Sequence, residues 1–145
     1  MIVCGYQGCG KTTYCKNHKN AIDLDSSNFN KTEKWEAQYL RVALSLSEAG
    51  YNVFISAHPE VIFYCLDNNI KFELLIPAQN KEAWRSRLEF RYNINPTQGN
   101  LNALKDFEAN FDKDMIFYRS LTNVTIHEVS AKVVTNIANF FSNEW

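Results

Sequence analysis

Three glycines and a Lys-Thr pair fall within eight consecutive residues, Gly5-Tyr6-Gln7-Gly8-Cys9-Gly10-Lys11-Thr12. The spacing is a full match to G-x-x-x-x-G-K-[ST]. Glycine accepts positive φ, so successive backbone N–H groups can converge on one anion. A lysine after the last glycine supplies a point charge for the β- and γ-phosphates of a nucleoside triphosphate. The hydroxyl that follows is a hard oxygen ligand for Mg²⁺. A helix starting at Thr12 turns its positive end on the same phosphates. The apolar run Met1-Ile2-Val3-Cys4 ahead of the loop reads as a buried strand, so the strand–loop–helix context is complete.

Asp23-Leu24-Asp25-Ser26-Ser27 forms a second cluster. Acids at i and i+2 of a strand project to one face. Phosphoryl transfer uses one carboxylate on the metal or its waters and often another to orient the attacking oxygen. Asp23 and Asp25 are therefore candidate metal-positioning residues, and Asp25 is also a candidate for the acceptor side. The alternative is a pair of solvated acids in a turn ahead of Asn28-Phe29-Asn30, since Asp and Ser are turn formers.

Lys81, Arg85, Arg87 and Arg91 make a third. On a helical wheel Trp84 and Leu88 form an apolar seam, with Lys81 and Arg85 on one side and Arg87 and Arg91 on the other. Such a helix suits a lid over phosphates, and the planar guanidinium fork suits spread transition-state charge. An ordinary amphipathic helix, with arginine stems lying along a packed tryptophan, is the alternative. Arg41 is a candidate ligand for an acceptor phosphate, or a solvated surface residue. Trp35 and Tyr39 are either a base-stacking platform or core. Ser56 and His58, at the end of an expected strand, are candidates for the acceptor site; His18 and His127 carry no functional reading.

These residues need a frame. Strands are expected at 1–4, 21–25, 53–56, 72–76 and 124–129. Helices are expected at 12–19, 31–49, 59–69 and 81–92, then one striped by Phe107, Phe111, Met115 and Tyr118, and a last striped by Val133, Ile137, Phe140 and Phe141. Gly50 suits a helix C-terminus, Pro59 a first helical turn, Asn80 an N-cap, and 95–99 a turn. Alternating strands and helices give an α/β domain, a parallel sheet with helices on both faces. In such sheets ligands bind at the carboxyl ends of the strands. Gly5 to Thr12, Asp23 with Asp25, Ser56 with His58, and the segment from Gln79 onward all fall there.

At 145 residues the chain is expected to form one domain, 1–145. A net charge of -1 argues against a broad nucleic-acid footprint. Cys4, Cys9, Cys15 and Cys65 form no C-x-x-C pair and no zinc spacing, and read as small buried residues in a reducing cytosol. No apolar run is long enough to cross a membrane, and neither a signal peptide nor a membrane span is expected, since the first residues already read as a core strand.

On these residues the chain resembles the small nucleotide kinases of the adenylate kinase type, and is most similar to the short nucleoside or deoxynucleoside monophosphate kinases encoded by bacteriophages. The resemblance rests on Gly5 to Thr13, Asp23 to Ser27, Trp35 with Tyr39, Ile55-Ser56-Ala57-His58 with Glu60-Val61, and Lys81 through Arg91. It implies a three-layer P-loop NTPase fold with strand order 2-3-1-4-5 and a short mobile lid at about 80–99. It also implies Mg²⁺ and ATP as cofactor and donor, and an acceptor site walled by the helix at 31–49. A cytoplasmic enzyme is implied, in a host's cytoplasm if virus-encoded. Two features depart from the family. Strand three ends in Ser56-Ala57-His58 where familiar adenylate kinases carry an Asp, so metal positioning falls to Asp23 or Asp25. The insert is also too short for a zinc-type lid.

The expected activity is ATP-dependent phosphoryl transfer to a nucleoside monophosphate. Gly5, Gln7, Gly8, Cys9, Gly10, Lys11, Thr12 and Thr13 hold the phosphates, Thr12 the Mg²⁺, and Arg85, Arg87 or Arg91 the moving phosphoryl group. Asp25, Tyr39, Arg41, Ser56 and His58 line the acceptor site. A hydroxyl acceptor, either a small metabolite or a polynucleotide 5′ end, is the runner-up, with Asp25 as base. A non-catalytic ATP-binding module is the third reading. The sequence leaves the accepted base and the oligomeric state open.

Overall fold

A computed structural model gives the structure of residues 1–78 and 80–130. Five parallel strands make one sheet in the order β2-β3-β1-β4-β5: β1 Ile2–Gly5, β2 Ala21–Asp23, β3 Asn52–Ser56, β4 Glu73–Pro77 and β5 Thr125–Val129. Around it lie α1 Lys11–Lys16, α2 Trp35–Glu48, α3 Pro59–Asp67, α4 Lys81–Ile94 and α5 Gln98–Ser120. The expected strand order is the observed one. β1 is buried along its whole length, as a central parallel strand without alternation must be. β5 is an edge strand with a mostly open face, and its His127 Nε2 lies 2.7 Å from Glu73 Oε1 of β4.

Register brings the carboxyl ends of three strands to one rim. Gly5 stands beside Ser56, and Asp23 beside Phe54, two residues short of that serine. The expected caps are present. Gly50 adopts φ 99°, its N–H bonding the Ser47 carbonyl while Tyr51 N–H reaches Leu46, which is a Schellman ending. Pro59 sits in the first turn of α3, and the Asn80 side chain accepts the Ala83 N–H at 3.2 Å.

Four boundaries differ from the sequence pattern. α2 begins at Trp35 rather than residue 31, because Lys34 adopts φ 61° and a right-handed helix cannot run through it. β2 ends at Asp23 rather than residue 25: Asp25 leaves the ladder and caps a short 3-10 turn, Ser26–Asn28, by accepting the Ser27 N–H at 2.9 Å. α1 stops at Lys16, where the Asn17 side chain takes the Thr13 carbonyl. The expected turn at 95–99 is shorter, since Thr97 caps α5 by accepting the Asn100 N–H. The stripe of Val133, Ile137, Phe140 and Phe141, and Gln79, lie outside the described residues.

α4 and α5 form an antiparallel hairpin. Lys81 pairs with Asp112 at 3.0 Å, Arg85 with Glu108, and Arg91 with Asn100 at 2.7 Å, so one number falls as the other rises. Trp84, Leu88, Phe107, Phe111 and Tyr118 are buried between this hairpin and the sheet. Among the described residues no helix is long and apolar enough to cross a membrane.

Candidate functional site

The glycine-rich loop leaves β1 at Gly5 and enters α1 at Lys11. Its shape follows from its residues. Gly8 and Gly10 adopt φ 84° and 100°, where an L side chain is strained. A Cβ at Gly5 would stand 2.7 Å from Cys9 Sγ and 2.8 Å from Lys11 Cδ. The lysine therefore needs that glycine in order to fold back over the loop, where its Nζ donates to the Gly5 carbonyl at 2.9 Å. Cys9 N–H bonds the Tyr6 carbonyl at 3.1 Å, closing the turn.

Tyr6 anchors the loop from below. Its ring is buried within 6.4 Å of Trp84 and Tyr118 and 6.1 Å of Phe111, and burial pushes its hydroxyl well above the ordinary tyrosine range. Gln7 Nε2 donates to Asp106 Oδ2 of α5 at 3.0 Å. From α4, Trp84 Nε1 donates to the Gln7 carbonyl at 3.0 Å and Arg87 Nε to the Gly8 carbonyl at 2.7 Å. The hairpin thus holds the loop backbone at Gln7 and Gly8.

On the other side, Thr12 Oγ1 donates to Asp23 Oδ2 at 2.7 Å. A hydroxyl and a carboxylate meet there at the mouth of the loop. Both are hard oxygen donors of the kind Mg²⁺ takes together with phosphate oxygens and waters. Among the described residues no group of three or more His, Cys, Asp or Glu is placed to hold a metal by itself. Asp25 is exposed just beyond. Thr13, also exposed, follows on the first turn of α1.

Of the four basic residues of α4, Lys81, Arg85 and Arg91 each bond a side chain of α5, and Arg87 reaches the loop. Lys81 and Arg85 face α5, and Arg85 is engaged by both Glu82 and Glu108, away from the loop. Those carboxylates raise the Arg85 guanidinium above its usual range. Arg87 lies 4.9 Å over the Trp84 ring, with Nε on Gly8 and Nη1 on the Ser130 carbonyl at 3.3 Å. Arg91 is exposed as a residue. Desolvation nevertheless draws its guanidinium below the ordinary range, with Cys9, Asp25 and Asp23 acting in the opposite sense. The Arg91 Nε donates to Asn100 Oδ1 of α5 at 2.7 Å.

The acceptor candidates separate as well. Tyr39 is fully buried, and its hydroxyl donates to the Leu24 carbonyl while accepting the Ser56 N–H at 2.9 Å. It belongs to the core rather than to an open stacking platform. The Ser56 hydroxyl is buried and has no hydrogen-bond partner among the described residues. His58 sets its ring edge-on to Trp35 at 6.0 Å, and burial draws its pKa down. Arg41 is exposed, two residues past Tyr39 and so about 200° round α2, on the side away from the buried face.

Sequence patterning missed Tyr6, Trp84 as a loop ligand, Lys31, Asp106 and Asp114. Lys31 Nζ donates to the Ser26 carbonyl and lies 4.6 Å over Trp35, at the wall where Arg41 was expected. Asp114 is 5% exposed, with its carboxyl pushed up to about 6 by burial and then by Asp106. Its signal was available: seven residues from Phe107, it falls on the apolar face of α5. No family model matches the chain, and no curated protein matches it.

Proposed function

We propose that this chain is an ATP-dependent phosphotransferase of the P-loop type, acting on a nucleoside monophosphate. The observation that carries the reading is the 2.7 Å contact between Thr12 Oγ1 and Asp23 Oδ2 at the mouth of a loop spanned by Lys11. It supports a division of labour. The loop amides and Lys11 bind the donor phosphates, with the lysine exchanging the Gly5 carbonyl for phosphate oxygens. Thr12 and Asp23 hold the metal directly or through its waters. When bound, Mg²⁺ offsets charge on the phosphate oxygens and keeps them in line. Arg91 faces the charge that develops on the transferred group. α4 covers the loop and keeps water from competing with the acceptor.

A hydroxyl acceptor is the second reading, and specific observations favour it. Asp25 is exposed next to the metal-side pair, where a base would stand, and Arg41 faces away from the site. Release of ADP measured across a panel of nucleoside monophosphates and a panel of hydroxyl acceptors tests both. Stimulation by one or more monophosphates is the expected result. Stimulation by hydroxyl compounds alone replaces it with the second reading, and tight ATP binding without ADP release under any acceptor leaves a nucleotide-binding module.

A further inference from the structure

Two consecutive carbonyls of the glycine-rich loop are turned outward by one helix. Trp84 Nε1–H takes the Gln7 oxygen at 3.0 Å, and Arg87 Nε–H takes the Gly8 oxygen at 2.7 Å. A trans peptide points its C=O and the following N–H in opposite directions, and the described residues contain no cis bond. The Gly8 amide therefore points away from Trp84, while the Cys9 amide, at the other end of the peptide that Arg87 holds, bonds the Tyr6 carbonyl at 3.1 Å and closes the turn. The donors are themselves fixed. Trp84 is completely buried, Arg87 is stacked on it and tied to Ser130, and Leu88 comes within 2.8 Å of where a Gly8 Cβ would be. Glycine is thus required at 8 both for its φ and for the approach of α4.

We infer that Trp84 and Arg87 are positioning residues: Trp84 presets the Gly8 amide for phosphate by holding the opposite end of its peptide, and Arg87 fixes the next peptide, whose N–H closes the turn on Tyr6. This rests on the phosphate-binding reading of the loop and assigns Arg87 a different part in it. The Arg87 fork is spent on backbone carbonyls through Nε and Nη1, whereas Arg91 is held through Nε on Asn100 Oδ1 at 2.7 Å, which leaves its terminal nitrogens as the α4 donors for the transferred group. Preorganised amides bind an anion without first having to reorient, so losing either donor weakens phosphate binding even when the fold survives. A hydrogen bond to a neutral carbonyl contributes about 1 kcal/mol net, which corresponds to roughly a tenfold change or slightly less in affinity.

Calorimetric titration of inorganic pyrophosphate and of ATP into the full chain tests the inference. Trp84→Phe keeps an aromatic ring and removes the donor. It is expected to weaken both ligands by the same factor, about tenfold. Phe107→Leu is the packing control in the same hairpin: it lowers the melting temperature and leaves both affinities unchanged. Arg87→Lys retains a donor and should bind pyrophosphate more tightly than Arg87→Met. Equal affinities in Trp84→Phe and the parent chain overturn the inference while leaving the phosphate site standing. So does an equal loss in Arg87→Lys and Arg87→Met, which a guanidinium fork on the phosphate itself would give. No binding of either ligand by the parent chain overturns the phosphate-binding reading as well. If Trp84→Phe does not fold, the indole N–H of Trp84 in the parent chain decides by NMR. Its resonance is expected to exchange slowly with solvent and to shift on saturation with pyrophosphate. A signal that ignores bound pyrophosphate counts against the inference.

Discussion

Thr12 donates its hydroxyl to Asp23 across 2.7 Å, joining the first turn of α1 to the last residue of β2. Asp25, two residues on, caps a turn through Oδ1 instead. The two acids are therefore expected to behave differently. Asp23→Asn should raise the Mg²⁺ concentration needed for half-maximal rate, with excess metal restoring much of the turnover. Asp25→Asn should also be partly rescued by metal if the acceptor is a monophosphate. It should lose on the order of 10²–10⁴ in rate, without rescue, if the acceptor is a hydroxyl. Rate against Mg²⁺ for both variants separates the cases.

Lys11→Ala should abolish transfer and leave the fold in place. The lysine is only partly buried, and its side chain bonds the Gly5 carbonyl, so the stability change should stay near 1 kcal/mol. Turnover near the parent value in a folded K11A protein contradicts the proposed role.

Arg91→Ala should lower kcat by about 10²-fold with a much smaller effect on ATP affinity, because the contact strengthens as charge develops on the transferred group. Arg85→Ala should leave turnover per folded molecule unchanged, since its partners are Glu82 and Glu108 on the far side of α4. Steady-state kinetics on the pair read this directly. Equal losses in both would return the whole basic face of α4 to the reaction.

Asp114 should make the fold less stable as pH rises. Its folded pKa of about 6 lies above the ordinary carboxyl value of 3.8. The native state therefore keeps a proton that the unfolded chain has released. The group's favourable contribution is full below about pH 4 and is lost as pH climbs through 6. Asp114→Asn should raise stability at pH 7 by on the order of 2 kcal/mol and flatten the slope between pH 4 and 6 relative to the parent. Denaturant unfolding at a series of pH values checks both the sign and the window.

The strands and the loop were legible because each depends on local features: apolar runs, glycine spacing, and caps such as Asn80 and Gly50; the strand order was an expectation of the family resemblance and is the one observed. The Trp84–Leu88 seam of α4 was legible too, whereas the wheel's pairing of Arg87 with Arg91 was not kept, since Arg91 bonds Asn100 of α5 and Arg87 the Gly8 carbonyl. What the faces of α4 meet was not legible. That Arg85 finds Glu108 and Arg87 finds the Gly8 carbonyl depends on how α5 folds back, a pairing across 23 and 79 residues that no local pattern encodes. Tyr39 was left between two readings for a similar reason. An aromatic in a stripe at helical spacing is more often core than a stacking platform, and its bonds to the Leu24 carbonyl and the Ser56 amide set it in the core. Lys34 shows the limit at boundaries, because nothing in its side chain announces a left-handed backbone.

The Tyr39 hydroxyl has a consequence for how the two substrates communicate. One oxygen on α2 receives a proton from the end of β3 and gives its own to the residue between Asp23 and Asp25. Burial keeps that phenol protonated at any physiological pH, so the link stays made. Any displacement of α2 by an arriving acceptor is thereby passed, through a single rigid ring, to the peptide that sets the spacing of the two carboxylates. Under the proposed function, the acceptor wall and the metal side would form one mechanical body, and a wrongly sized acceptor would shift the acids as well as itself.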